Sequence, residues 1–306
     1  MTFDVVGLGC ACLDFIGVVP NNPKIDSQVW MRQSTQQGGG KVATALVTLA
    51  KLGTSTTFLG RIGDDLVGRI IKEEFEGFGV NTRHMVIESG ANSLVSMVLV
   101  DASSGQRTIM SDRPATSEFL VRDIPVSLIE SARFLHLDAT SRRAAIAAAK
   151  VARQAGVPVV LDADILVCDD EIESLIGFTD VLITSQGFAE SFTGIRDPLK
   201  AVKTLSGYGP AVTMVTMGAM GSVGICKGHT LRIPGFEVGV VDTTGAGDVY
   251  HGAFIYGLLH NWDFEKTAEF ATAVAAISCT ELGGRKGIPR LDQAKSFLQE
   301  RKSRFF

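Results

Sequence analysis

The chain has 306 residues, of which 45% are hydrophobic and 20% charged, and its formal net charge is −4. That length and apolar share suit one α/β domain with an appendage. The slight acidity gives no basic field for nucleic acid, and no apolar run is long enough to span a bilayer. Cysteines at 10, 12, 168, 226 and 279 form an odd, unpatterned set, which predicts reduced thiols in the cytoplasm rather than a disulfide framework. Cys10-Ala11-Cys12 is too tightly spaced for the usual zinc pair, so both read as small buried residues. The histidines show no metal-binding spacing either.

In chain order, residues 3–9 predict a strand rather than a charged leader. Residues 14–36 carry strand-like pieces around Pro20 and Pro23. A helix over 42–52 closes at Gly53, and a strand follows over 56–59. The next helix, over 66–78, is capped by Asp64 or Asp65 and ends at Gly79. Residues 94–100 and 107–110 predict a hairpin around Ala102-Ser103-Ser104-Gly105. A strand over 133–137, a helix over 142–154 stopped by Gly156 and a strand over 157–161 come next. Two further short buried strands are expected over 181–184 and 212–216. The alternation predicts a mostly parallel sheet with helices on both faces. Residues 14–36 and 93–113 lack helical periodicity and predict a small β lid. Residues 1–13, 37–92 and 114–306 then form the α/β domain that holds nucleotide and substrate.

Asp242-Thr243-Thr244-Gly245-Ala246-Gly247-Asp248 opens onto the apolar run 249–259. A glycine turn at a helix start offers free N–H groups and a positive dipole end to an anion. Asp248 stands in the first turn, placed to accept a proton from a hydroxyl. Together they suit phosphoryl transfer, although a short Gly-x-Gly-Asp alone also fits a capped turn. Gly38-Gly39-Gly40-Lys41-Val42-Ala43-Thr44 likewise opens a helix and lacks the Walker A spacing. Arg107 and Arg113, in or just after the hairpin, read either as solvated surface or as contacts for an anionic substituent. His251, one turn past Asp248, reads as a packed or capping residue or as a contact at the site.

The seven-residue string resembles, without a gap, the C-terminal signature of the PfkB, or ribokinase-like, carbohydrate kinase family. The Gly38–Thr44 string, continued by Ala45, Ala50 and Leu52-Gly53, resembles the N-terminal one, and the likeness runs over residues 7–291. It implies an ATP- and Mg²⁺-dependent sugar kinase with a lid over the sugar. Asp248 would be the base, with the backbone of Gly245, Ala246 and Gly247 around the transferring phosphoryl. Asp14, Gly38, Gly39, Gly40 and Thr44 would hold the sugar, Thr44 standing where many members carry Asn. Thr216, Gly218, Gly221, Ser185, Gly247 and Thr272 would face the nucleotide. At Thr272, plain helix packing with an exposed hydroxyl is the competing reading. Ser185 and Phe188 occupy the places of an Asn-x-x-Glu that organises Mg²⁺, with Glu190 two residues beyond. Some members bind a monovalent cation such as K⁺ at the places of Asp242 and Thr244. The motifs look nearest the sulfofructose kinase branch, so an acidic ketose is one expected substrate. A nucleoside kinase and a non-catalytic sugar sensor are the alternatives. Exposed lid edges suit a homodimer.

Overall fold

Short apolar runs with no polar face become inner strands, because helices cover both sides of the sheet they form. The computed structural model describes residues 2–112, 116, 118–163 and 169–306; Arg113 and Cys168 lie outside the described residues. The order begins with β1 (Val5–Leu8), β2 (Cys12–Val19), β3 (Gln33–Gly39), α1 (Lys41–Lys51), β4 (Thr56–Leu59), β5 (Arg61–Gly63), α2 (Leu66–Gly77), β6 (Val86–Glu88), β7 (Leu94–Asp101) and β8 (Arg107–Ser111). It continues with α3 (Val126–Glu130), β9 (Phe134–Asp138), α4 (Arg142–Ala155), β10 (Val159–Asp162), α5 (Asp170–Gly177), β11 (Val181–Ser185), α6 (Gln186–Thr193), α7 (Pro198–Ser206) and β12 (Val212–Thr216). It closes with β13 (Ser222–Cys226), β14 (His229–Ile233), α8 (Ala246–Leu259), α9 (Phe264–Ser278) and α10 (Leu291–Glu300).

The main sheet runs β14-β13-β12-β11-β10-β9-β1-β4. It is parallel from β4 to β12, and the β13–β14 hairpin adds antiparallel strands at one edge. Alternate residues of β1 and β10 feed two cores. Val5 and Val160 face α1, α8 and α9, whereas Val6 and Leu161 face α4, α5 and α7. Asp65 caps α2 by accepting from the Gly68 N–H at 2.8 Å. The expected mostly parallel α/β architecture is present.

A separate four-stranded sheet runs β3-β2-β7-β8. Its strands reach beyond the expected lid bounds, with β2 starting at Cys12 and β3 running to Gly39. Gly38 and Gly39 are therefore the end of a strand rather than a free loop, and Gly40 is the N-cap of α1. The reading also missed the small β5–β6 pair and the β13–β14 hairpin. Three-residue strands are too short to show alternation, and β14 is mostly exposed.

Helices α1 and α8 pack closely, and Gly252 is the reason. A Cβ there would lie 2.5 Å from the Ala45 carbonyl oxygen and 2.7 Å from the Thr48 Cβ. Both helices begin at the carboxyl ends of the parallel strands, where α/β sheets open their crevices. Gly252→Val should force the helices apart at a cost of about 1–3 kcal/mol, lowering the thermal midpoint by about 2–10 °C. An unchanged melting curve would show that the pair separates freely.

Candidate active site

The start of α8 is fixed from two sides. Gly245 takes a left-handed φ of 73°, and a Cβ there would stand 2.9 Å from the Gly284 Cα. The first full helical bond runs from the Val249 N–H to the Gly245 carbonyl at 2.9 Å. The Ala246 N–H donates to the Thr243 carbonyl at 3.3 Å. Gly247 and Asp248 thus supply the first-turn donors, at the positive end of the dipole. No atom lies within 4 Å of a Cβ built on Gly247, so backbone is approachable there. Ahead of this turn, Asp242 Oδ1 accepts from the Thr244 N–H at 2.8 Å and the Thr244 hydroxyl at 2.7 Å. Its Oδ2 accepts from the Gly283 N–H at 2.8 Å. The carboxylate closes its own loop through three protein donors.

Asp248 is half-buried. Desolvation, then the nearby charge of Asp162, pushes its carboxyl well above the usual carboxylate range; Lys41 and Arg107 pull it back, and Asp14 adds to the rise. Groups from β2, α1, β8 and β10 therefore converge on one carboxylate. Asp14 is buried, accepts from the Cys12 thiol at 3.1 Å and bonds the Ser96 side chain. Desolvation raises its carboxyl as well. Gly39 must lack a side chain, because a Cβ would sit 2.2 Å from Asp14 Oδ2. Cys12 is buried as expected, whereas Cys10 is only half-buried.

The glycine strand is held by a residue to which the sequence analysis assigned no role. Arg285 is 1% exposed. Its Nη2 donates to the Gly39 carbonyl at 3.0 Å, its Nε reaches the Thr44 hydroxyl at 3.4 Å, and its Nη1 lies 3.4 Å from Glu74 Oε1. Glu74 in turn accepts the Gly38 N–H at 2.5 Å. Gly38 and Thr44, expected as sugar contacts, are thus engaged by the Arg285–Glu74 pair. With Arg285 buried and Glu74 partly exposed, the pair is held in place by its extra hydrogen bonds. Gly40, with φ 101°, packs its Cα against the Cys10 carbonyl. The only local sign of Arg285 was its place in Gly283-Gly284-Arg285; its burial depends on a chain segment some 240 residues earlier in sequence.

The small sheet meets the α8 loop directly at the β7–β8 turn. The Gly105 carbonyl accepts from both the N–H and the hydroxyl of Thr243, at 3.1 and 3.0 Å. Arg107 Nη1 reaches the same hydroxyl at 3.4 Å.

On the other side of α8 the expected nucleotide residues divide. The Thr216 hydroxyl donates to the Thr184 carbonyl at 3.3 Å, and Gly218 has φ 58° with open space around its Cα. Gly221 has a packing reason to be glycine, since a Cβ would strike the Ile233 carbonyl at 2.0 Å. Thr272 is buried, not exposed, and its hydroxyl donates to the Ala268 carbonyl and meets the Tyr250 side chain. Ser185 caps α6 by accepting the Phe188 N–H at 3.1 Å, Phe188 lies in the core, and Glu190 pairs with Arg196 at 3.0 Å. Ser185 and Phe188 offer no acid to Mg²⁺, and Glu190 is engaged by Arg196. Among the described residues no group of three or more His, Cys, Asp or Glu is arranged around a metal site, and no helix is long and apolar enough to cross a membrane.

Comparison with known proteins identifies relatives and a family. A ribokinase from Haemophilus influenzae is 33% identical over 85% of this chain and 87% of its own length. A 5-dehydro-2-deoxygluconokinase from Shouchella clausii is 28% identical over 97% of this chain and 96% of its own. The crystal structure of a putative ribokinase from Agrobacterium tumefaciens superposes with a TM-score of 0.91, at 24% identity, covering 99% of this chain and all of that one. The family described as pfkB family carbohydrate kinase matches residues 2–291, and the chain belongs to it.

Proposed function

We propose that the protein transfers the γ-phosphoryl group of Mg·ATP to a hydroxyl of a sugar or sugar acid. The observation that carries this is the single turn of α8 that presents both the Gly247 and Asp248 N–H groups and the Asp248 carboxylate. The carboxylate takes the hydroxyl proton as the oxygen attacks the γ-phosphorus. The bond from that phosphorus to the β–γ bridging oxygen breaks, and ADP leaves. The first-turn N–H groups meet the charge on the moving phosphoryl. Asp14 accepts from a sugar hydroxyl, while the lid latched at Thr243 keeps water from competing. The metal enters with the nucleotide as part of the substrate, because Ser185 and Phe188 do not fit a metal-holding role.

A keto-sugar acid is the substrate class we favour. Lys41 and Arg107 both bring positive charge to Asp248, and one relative acts, by its name, on 5-dehydro-2-deoxygluconate. A sulfosugar shares that anionic chemistry. Among the described residues of the small sheet and the β2–β3 connection, no aromatic ring stands beside Asp14 as a platform for a nucleoside. Phe15 alternates away from Asp14 on β2, and Trp30 is 82% exposed.

Sugar-dependent ADP release across ketoses, sugar acids, sulfosugars and nucleosides tests the reading. We expect turnover with a sugar acid, and a loss of about 10²–10⁴-fold in kcat for Asp248→Asn. The acid limb of kcat/KM should lie above the usual carboxylate range, since Asp248 must lose its proton to act. Full turnover in Asp248→Asn would overturn the assignment. Binding without turnover would restore the sensor.

The same reading includes a homodimer through the lid. Phe15 pairs in register with Met97, and Met97 with Met110, forming one exposed row on the face away from Ile16 and Val98. A second copy would cover this row and the exposed β8 edge. Sedimentation should give a dimer for the wild type and a monomer for Met97→Asp. A wild-type monomer at micromolar concentration would exclude the pairing.

A further inference from the structure

Behind Asp248 lies a buried polar cluster that the transfer step does not use. Asp162 ends β10 and is 3% exposed. Its Oδ1 stands 4.0 Å from Lys41 Nζ, at the first residue of α1. Its Oδ2 stands 3.5 Å from Nε2 of His251, which follows Asp248 by one turn on α8 and is equally buried. The His251 ring stacks on His136 of β9, with centroids 5.4 Å apart. The His136 Nδ1 contacts the Val160 carbonyl at 3.1 Å. Burial above all, and then His251, holds the His136 imidazole down to about 3, so it acts as a neutral ring.

Stability alone does not account for such a cluster. Apolar residues of similar volume would fill this space as well or better, because burying charge is costly. The cluster sits where α1, α8, β9 and β10 meet, and its His251 shares a face of α8 with Asp248 one turn earlier. Buried charged groups around a cleft carboxylate are the usual means of adjusting its proton affinity.

We propose that Asp162, held by His251 and Lys41, is a positioning residue that sets the base strength of Asp248. This rests on Asp248 being the base. The negative charge of Asp162 favours the protonated form of Asp248, making its carboxylate a stronger acceptor for the sugar hydroxyl proton. Lys41 acts in the opposite sense on the same carboxylate and fixes one oxygen of Asp162. His251 fixes the other. Other charges facing Asp248 are Arg107 from β8 and Asp14 from β2, and Lys41 is also faced by Asp138 of β9. None of these is held by His251 through a contact like that at Asp162.

The test is the pH profile of kcat/KM for the sugar in the wild type, Asp162→Asn and Lys41→Gln, with Mg·ATP saturating. Asp162→Asn should move the acid limb to lower pH by about one unit, and Lys41→Gln should move it higher by a similar amount. A purely structural role would lower activity equally at every pH and leave the limb in place. If Asp162→Asn does not fold, Asp162→Ser removes the same charge with a smaller side chain, should give the same downward shift and decides in its place, whereas Lys41→Gln reports only the opposing charge. Limbs that stay fixed, or move in the opposite directions, overturn the proposal. If Asp248→Asn is inactive and the limbs stay fixed, only the tuning fails. If Asp248→Asn is fully active, the underlying assignment of the base fails instead.

Discussion

The packing of α1 against α8 at Gly252 is the constraint on which the rest of the site depends. Two helices that touch through backbone cannot slide or tilt without a clash. Helix α8 is buried almost all round, from Val249 to Tyr256, so its position is set by the core and not by its entry loop. The contact holds two helix starts side by side. One delivers Gly40 and Lys41, the other Gly247 and Asp248. Donors aimed at a transferring phosphoryl are effective because they need no reorganisation as charge develops, and a core-locked helix start meets that requirement.

Residues 282–286 link the small sheet to the loop that begins α8. Gln37 on the lid strand bonds the Leu282 carbonyl and accepts from the N–H groups of Arg285 and Lys286. Gly283 donates to Asp242 ahead of the anion turn, and the Arg285 side chain grips Gly39. Leu282 packs with Ile16, Val98 and Val100 of the lid. A movement of these strands is thereby felt at the turn that begins α8. The Gly105–Thr243 latch adds a second link between the same parts. In the proposed reaction, substrate seating and phosphoryl placement would share one set of contacts, which suits a transfer that must not begin on water.

The start of α8 was legible because its signals are local. Glycines, a first-turn acid and a long apolar run lie within one stretch of chain. The buried strands were legible for the same reason, as at Thr56–Leu59 and Val212–Thr216, where expected and observed bounds coincide. Strand β3 was not, since Gln33-Ser34-Thr35-Gln36-Gln37 carries no apolar alternation and is held by its pairing with β2. The burial of Arg285 and the stacking of His136 on His251 depend on partners far away in sequence, which no spacing rule reaches. Thr272 read either as a nucleotide contact or as helix packing with an exposed hydroxyl, because periodicity places it on a helix face without saying what covers that face. The departures at Ser185 and Phe188 were visible in sequence, but only the structure shows Glu190 turned to Arg196.

The most direct test is a crystal structure of the protein with ADP, magnesium, a metal-fluoride mimic of the transferring phosphoryl, and the sugar acid that supports turnover. The account predicts fluorine atoms within hydrogen-bonding distance of the Gly247 and Asp248 N–H groups, with the attacking hydroxyl against the Asp248 carboxylate. A mimic bound away from the first turn of α8, or a hydroxyl seated on another base, would contradict it.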